Sequence, residues 1–300
     1  MKYVSISLFL LLLTAGASLA DTGAGSPAIA QLDSILGQTG KVLPGDVHKY
    51  SWPRTDLHVT LDGIAVQPGL ALGSWSGFLL NASGDASTMG DLVLLPAEVD
   101  PVIRELQAGG IEILAVHNHL NGEVPEVVYV HFMGKGPADA LAKTLKGALA
   151  KTKTPDPVAA GVPAKPSVAE ETAFETIQTL LARKGNLAGS VLQIGIPRKD
   201  KIEESGTEIP ASMGMANSMN FQIAGLRVAA TGDFVLIADE VNPVIRELES
   251  HGIRVTALHT HMLHDAPHIF FMHFWALGTA QEVAEGLKAA LSKINVVNAQ

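Results

Sequence analysis

The chain has 300 residues, 47% of them hydrophobic and 17% charged, with a formal net charge of -9. That is enough apolar material for sizeable cores in one or two domains, and an acidic chain without a Lys/Arg block is a poor match for a phosphate backbone, so no nucleic-acid partner is expected. Cysteine is absent, which excludes disulfides, thiolate catalysis, zinc knuckles and cysteine-ligated iron–sulfur clusters.

The first 20 residues, MKYVSISLFLLLLTAGASLA, read as a secretory signal. Lys2 supplies the positive start, and Ile6 to Leu13 is an apolar run broken only by Ser7. Ser18 and Ala20 are the small residues of a cleavage site before Asp21. The apolar run is too short to span a bilayer comfortably. No cysteine follows it to carry a lipid, and no later segment is apolar for long enough to span a membrane. The expectation is a soluble periplasmic or secreted protein without a stable membrane anchor.

The rest of the chain is a duplication. GDLVLLPAEVDPVIRELQAGGIEILAVHNH begins at Gly90, and GDFVLIADEVNPVIRELESHGIRVTALHTH begins at Gly232, 142 residues later. The match continues into VYVHFMGKG and FFMHFWALG, then into ADALAKTLKGAL and AQEVAEGLKAAL. Upstream, WPRTDL at Trp52 stands beside IPRKDK at Ile196. A repeat of this length is a whole domain rather than a solenoid unit. The expected layout is a first repeat over 21–150, a Pro-rich linker over 151–167 and a second repeat over 168–300.

Each repeat opens with strand-like and turn-like residues. GDLVLL reads as a short buried strand. AEVDPVIRELQAGG reads as a helix capped by Asp100, with Pro101 in its first turn, an apolar face of Val102, Ile103 and Leu106, and a stop at Gly109 or Gly110. IEILAVHNH and VVYVHF are rich in β-branched residues and read as strands. Only a few residues and Pro125 separate them, so an antiparallel pair is expected. PADALAKTLKGALAK closes the repeat as an amphipathic helix. The fold class is α+β: two homologous tandem domains, each a mainly antiparallel sheet with helices on one face.

The candidate chemistry lies in the histidines. Both repeats carry H-x-H-x(3)-[DE]-x-P-x(5)-H, so His117, His119 and His131 correspond to His259, His261 and His273. Glu123 corresponds to Asp265, and Pro125 to Pro267. In a strand, residues two apart share a face, so each H-x-H pair can point together and a returning strand can bring the third histidine beside it. The acid sits at the turn. Three imidazoles and one carboxylate suit a divalent transition metal such as zinc, copper, iron, manganese or nickel. An open coordination position would allow a bound water to act as nucleophile. Glu123 and Asp265 are candidates for a fourth ligand or a general base, or are hairpin-turn acids. A duplication also copies structural residues, so the triplets equally admit hydrogen-bonded roles.

Other polar residues have plainer readings. His264 and His268 lack counterparts and read as turn residues. Arg54 and Asp56, matched by Arg198 and Asp200, read as a local salt bridge or turn. Asp91 and Asp233 each follow a glycine and read as turn residues before a strand. Arg104, Glu105, Arg246 and Glu247 read as solvated helix residues, and Trp75 and Trp275 as core. The metallo-β-lactamase motif H-x-H-x-D-H does not fit the order of His259, His261, His264 and Asp265. The cupin ligand set is mimicked by His117, His119, Glu123 and His131, but a cupin is all-β and here a helix precedes the strand. There is no Gly-rich phosphate loop and no Ser nucleophile elbow.

With PR-x-D at Pro53, MGDLVLL at Met89, EVDPVIREL at Glu98 and AVHNHL with the later VHF in view, the chain resembles the LppY/LpqO family of exported bacterial proteins. The second repeat restates these motifs as TGDFVLI, EVNPVIREL, ALHTH and MHF. The resemblance implies a duplicated domain and brings no reaction with it. Three readings therefore stand: a protein that binds a metal in one or both repeats, a metal-dependent hydrolase or oxygen-using enzyme, and a metal-free module whose histidines line a polar cleft and meet a small molecule or another partner.

Overall fold

A computed structural model describes residues 27–157 and 166–298. The expected signal sequence and residues 158–165 of the expected linker lie outside the described residues. The first repeat runs α1 (Pro27–Leu36), β1 (Lys41–Leu43), β2 (Val47–Pro53), the short β3 (Thr60–Leu61) and β4 (Ile64–Ala65), α2 (Pro68–Ala71), β5 (Gly73–Leu80), β6 (Asp85–Leu94), α3 (Pro96–Ala108), β7 (Glu112–His117), β8 (Val128–Pro137) and α4 (Ala138–Leu149). The second runs α5 (Val168–Leu181), β9 (Asn186–Ala188), β10 (Val191–Pro197), the short β11 (Glu203–Glu204) and β12 (Thr207–Glu208), β13 (Ala216–Ala224), β14 (Arg227–Ile237), α6 (Ala238–Ser250), β15 (Arg254–His259), β16 (Asp265–Ala266), β17 (Ile269–Gly278) and α7 (Ala280–Leu291).

Each repeat forms a six-stranded antiparallel sheet, and the two have the same strand order. The first is β1-β2-β5-β6-β8-β7; the second, read from its matching edge, is β9-β10-β13-β14-β17-β15. The fold is therefore two tandem α+β domains with helices packed on one face of each sheet. Leu92, Leu94, Val130 and Phe132 turn to that face in the first repeat and meet Leu32, Val102, Leu106 and Leu145. Phe234, Leu236, Met272 and Phe274 do the same in the second, against Ile177, Val244, Leu248 and Leu287. The residues between them in sequence point the other way, as period-2 alternation requires.

Those opposite faces pack on each other, giving a helix–sheet–sheet–helix sandwich. Met89, Leu114 and Met133 meet Val235, Met262, Ile269 and Phe271. Val93, Leu120, Val127 and Tyr129 meet Val191, Ala229 and Trp275. Side-chain to backbone hydrogen bonds join the repeats at the edge of this contact, from Gln193 to the Gly69 carbonyl (2.7 Å), Asn220 to that of Leu70 (2.9 Å) and Gln222 to that of Ala65 (2.6 Å).

Three local expectations need correction. The helix predicted to start at Asp100 starts at Pro96, because proline fits the first turn and Glu98 accepts the Leu95 N–H at 2.9 Å; Pro101 lies inside it. The strand predicted to reach His119 ends at His117. Asp91 and Asp233 are not turn residues but lie inside β6 and β14. Their preceding glycines serve a close backbone approach: a Cβ on Gly90 would lie 2.3 Å from the Trp75 carbonyl oxygen, and one on Gly232 would lie 1.8 Å from that of Ser218. Arg54 does pair with Asp56 (2.9 Å), as expected, but it is fully buried and also grips Glu98 (2.7 Å) and the Val93 carbonyl (2.7 Å). Arg198 repeats this with Asp200, Glu240 and the Val235 carbonyl. Each arginine ties the end of a sheet strand to the start of a helix.

Candidate metal centre between the two sheets

The sequence placed three histidines in each repeat. The structure brings all six to one place, between the facing sheets. His131 lies on β8 directly opposite Asp91 on β6, and His273 lies on β17 opposite Asp233 on β14. Each Asp–His pair is thus set by antiparallel register on the inner face of its own sheet.

The H-x-H pairs reach the inner face through an irregularity present in both edge strands. Ile113 pairs with Phe132 and so belongs to the helix-facing side. Strict alternation would put Ala115 and His117 on that same side. A β-bulge between Ile113 and Ala115 adds one residue, after which Ala115 pairs with His131 and His117 with Tyr129, both inward. β15 has the same irregularity between Val255 and Ala257, and His259 pairs with Phe271. The extra residue is Leu114 in one repeat and Thr256 in the other. Thr256 donates to the His119 carbonyl at 2.6 Å, so the second repeat's bulge helps to fix a first-repeat loop.

The rings interleave across the interface. His119 stacks between Tyr129 (3.5 Å between centroids) and His273 (3.8 Å). His261 stacks between Phe271 (3.6 Å) and His131 (3.6 Å). His117 and His259, the matched first members of the two pairs, meet at 3.6 Å. Exchanging the repeats maps these contacts onto one another, so the centre has approximate twofold symmetry.

The Nε2 atoms of all six histidines are buried and have no hydrogen-bond partner among the described residues. Asp91 Oδ1 shares that condition. The closest approaches of Asp91 Oδ2 to His131 and His119 are 3.6 and 3.8 Å, too long for hydrogen bonds. Asp233 Oδ1 lies 2.7 Å from His273 Nδ1. Three groups have donor atoms all within 4.8 Å of one another: His117 with His259, His261 and His273; His117 with His119, His131 and His261; and His119 with Asp233 and His273. These histidine and aspartate clusters are geometrically compatible with a divalent metal, and imidazole with carboxylate is a donor set that zinc, copper, iron and nickel accept.

Burial favours the neutral form of five of these imidazoles. His117, His119 and His261 are held well below their ordinary value by burial, reinforced by neighbouring histidines. Burial takes His131 down to about 3, against the pull of Asp233, and His259 to about 4. The two aspartates diverge. Burial, with Asp233 nearby, raises Asp91 well above the usual carboxylate range. Burial also pushes Asp233 up, but the His273 contact outweighs it and holds this carboxyl low. Lys49 is lowered to about 8 by burial, and its ammonium sits 4.4 Å over the Trp75 ring, within the field of Asp91.

The predicted acids sit apart from these groups. Glu123 accepts a hydrogen bond from the Val127 N–H (3.3 Å), and Asp265 accepts from Ile269 N–H (2.7 Å) and from His268 Nδ1 (2.8 Å). Both carboxylates brace the loops that carry Pro125 and Pro267. His264 donates its backbone N–H to Glu204, and His268 is exposed, in keeping with turn roles. Asp91, Asp233 and Lys49 are the members of the site that sequence reasoning missed. For the aspartates the available signal was their exact match between repeats inside an apolar, alternating run. Lys49 had none, since Gln193 stands in its place.

A family profile described as Domain of Unknown Function (DUF1259) matches residues 30–151 and again 175–293. This match corrects the expected assignment to the LppY/LpqO family, and it gives no support to the secretion expected from the N-terminal sequence. No curated protein matches the chain. Among solved structures, a trimeric bacterial microcompartment shell protein, PduB, aligns at 12% identity over 85% of this chain and 93% of its own, with a TM-score of 0.20. No helix among the described residues is long and apolar enough to cross a membrane.

Proposed function

We propose the following for a chain that belongs to the DUF1259 family: it is a metal-binding protein that holds a divalent transition metal among His117, His119, His131, His259, His261 and His273. The observation that carries this reading is the set of six buried Nε2 atoms without a hydrogen-bond partner. Leaving one buried polar atom unpaired costs about 1–3 kcal/mol. Six such atoms are comparable with the whole stability of a typical domain, about 5–15 kcal/mol. Bound metal lowers that cost, because each neutral imidazole that coordinates it donates its lone pair to the ion.

Neutral imidazoles in a dry, partly apolar setting favour zinc, copper, iron or nickel over magnesium or calcium, which prefer oxygen ligands. The enclosure between two sheets favours retention of the ion over exchange of a bulky substrate. The first experiment is elemental analysis of tag-free protein, beside His117→Ala/His119→Ala and His259→Ala/His261→Ala variants. Transition metal in the wild type, diminished in both variants, is the expected result. A wild type that stays metal-free after reconstitution with zinc, copper, iron and manganese refutes the reading.

A further inference from the structure

The two four-histidine groups divide in a particular way. One is the first-repeat triplet of His117, His119 and His131 with His261 added; the other is the second-repeat triplet of His259, His261 and His273 with His117 added. Each repeat thus assembles its own three donors and borrows one imidazole across the interface. No group among the described residues contains all six. A single octahedral ion would need opposite donors only about 4.2 Å apart, twice a metal–nitrogen bond of about 2.1 Å, and the six histidines do not form one group even within 4.8 Å.

A single four-coordinate ion does not resolve the site either. In the first group it leaves His259 and His273 with buried, unpartnered Nε2 atoms; in the second it leaves His119 and His131 so. The geometry is also balanced between the repeats. His117 and His119 lie 5.0 Å apart and His259 and His261 4.7 Å; His117 and His131 lie 4.9 Å apart and His259 and His273 5.0 Å. An aspartate lies alongside each triplet, Asp91 facing His119 and His131, and Asp233 against His273 and grouped with His119 as well.

We propose that the centre is dinuclear: two divalent transition-metal ions lie side by side, one on His117, His119 and His131, the other on His259, His261 and His273. The proposal rests on the metal-binding reading above. His261 and His117 lie between the two positions, and Asp91 and Asp233 flank them as carboxylates that orient or complete the donor sets. Three protein ligands per ion would leave each four-coordinate ion one further position. With both ions bound, an oxygen from water, hydroxide or an oxyanion would fill those positions, as it does in two-metal sites about 3.5–4 Å apart.

The test is stripping of the full-length protein with chelator, titration with Co(II) and measurement of bound metal after dialysis, then electron paramagnetic resonance after loading with Cu(II). The expected result is two equivalents per chain and a spin-coupled Cu(II) spectrum in place of the isolated-ion signal. The His119→Ala/His131→Ala and His259→Ala/His273→Ala variants should each retain one equivalent, with an uncoupled spectrum. Saturation of the wild type at one equivalent overturns the dinuclear centre while leaving the metal-binding reading intact. Two equivalents with isolated-ion spectra overturn the side-by-side arrangement. No binding at all removes the metal-binding reading itself. The wild-type measurements decide the matter even where a variant fails to fold.

Discussion

Acidification of the metal-free protein should unfold it steeply. In the unfolded chain a histidine takes up a proton near pH 6.5. In the folded protein His117, His119, His131, His259 and His261 all titrate below that value. Between the folded and unfolded values only the unfolded state binds the proton, so stability is full above about pH 6.5 and falls as the pH drops. Each such histidine contributes a slope of about 1.4 kcal/mol per pH unit, and five lie in the site, with His48 outside it adding in the same sense. Asp91 acts in the opposite sense, because its raised value lets the folded state hold a proton that the unfolded state has lost. Asp233, held low, does not titrate in this window. Four net protons in the site give about 6 kcal/mol per pH unit, enough to exhaust a typical stability of about 5–15 kcal/mol within about two units. Urea denaturation of chelator-treated protein from pH 8 to pH 4.5 measures the slope. A stability that is flat across that range would show that the imidazoles reach water or hydrogen-bond partners, and the reasoning from their burial would fail.

Metal should raise the thermal midpoint: free ion at about a thousand times its Kd adds about 4 kcal/mol, a shift of several degrees by scanning fluorimetry, and magnesium should give none. Arg54→Ala strands Glu98 and Asp56 beside a cavity and should cost about 3–5 kcal/mol in chemical denaturation. Arg104→Ala, removing a side chain 78% exposed, should stay within about 0.5 kcal/mol. Gly232→Ala drives a methyl into the Ser218 carbonyl and should cost about 1–3 kcal/mol or more. Gly195→Ala, whose nearest neighbour would be 4.0 Å away, should be neutral or slightly stabilising by the same measurement.

The sequence shows the duplication, the α+β class and the paired histidine triplets because each of these is a local pattern or an internal match. It does not show that the triplets meet. That follows from the packing of one sheet on the other, carried by residues such as Val127, Tyr129 and Trp275 that read simply as apolar. The inward aim of His117 depends on a bulge at Leu114, and neither β-branching nor alternation marks a bulge in advance. Asp91 and Asp233 were hidden by their glycines. Glycine followed by aspartate is a strong turn signal, yet here the glycine admits a neighbouring backbone and the aspartate is carried inward by the strand. Glu123 and Asp265 drew attention for the converse reason, since their spacing imitates a ligand while their oxygens serve loop N–H groups.

The twofold correspondence of the repeats also bears on how such a protein can change. A lone repeat could build the same centre as an isologous homodimer, each copy supplying one H-x-H and one return-strand histidine. Joining the copies in one chain turns that encounter into an intramolecular one, at an effective concentration in the millimolar range for short flexible linkers. It also releases the halves from being identical. Lys49 lies over Trp75 within the field of Asp91 in one half where Gln193 stands in the other, Tyr129 stacks where Phe271 does, and Leu114 fills the bulge that Thr256 uses to hold a loop. A homodimer would have to carry each of these twice. The fused chain can give its two halves different protonation, different hydrogen bonds and different tasks.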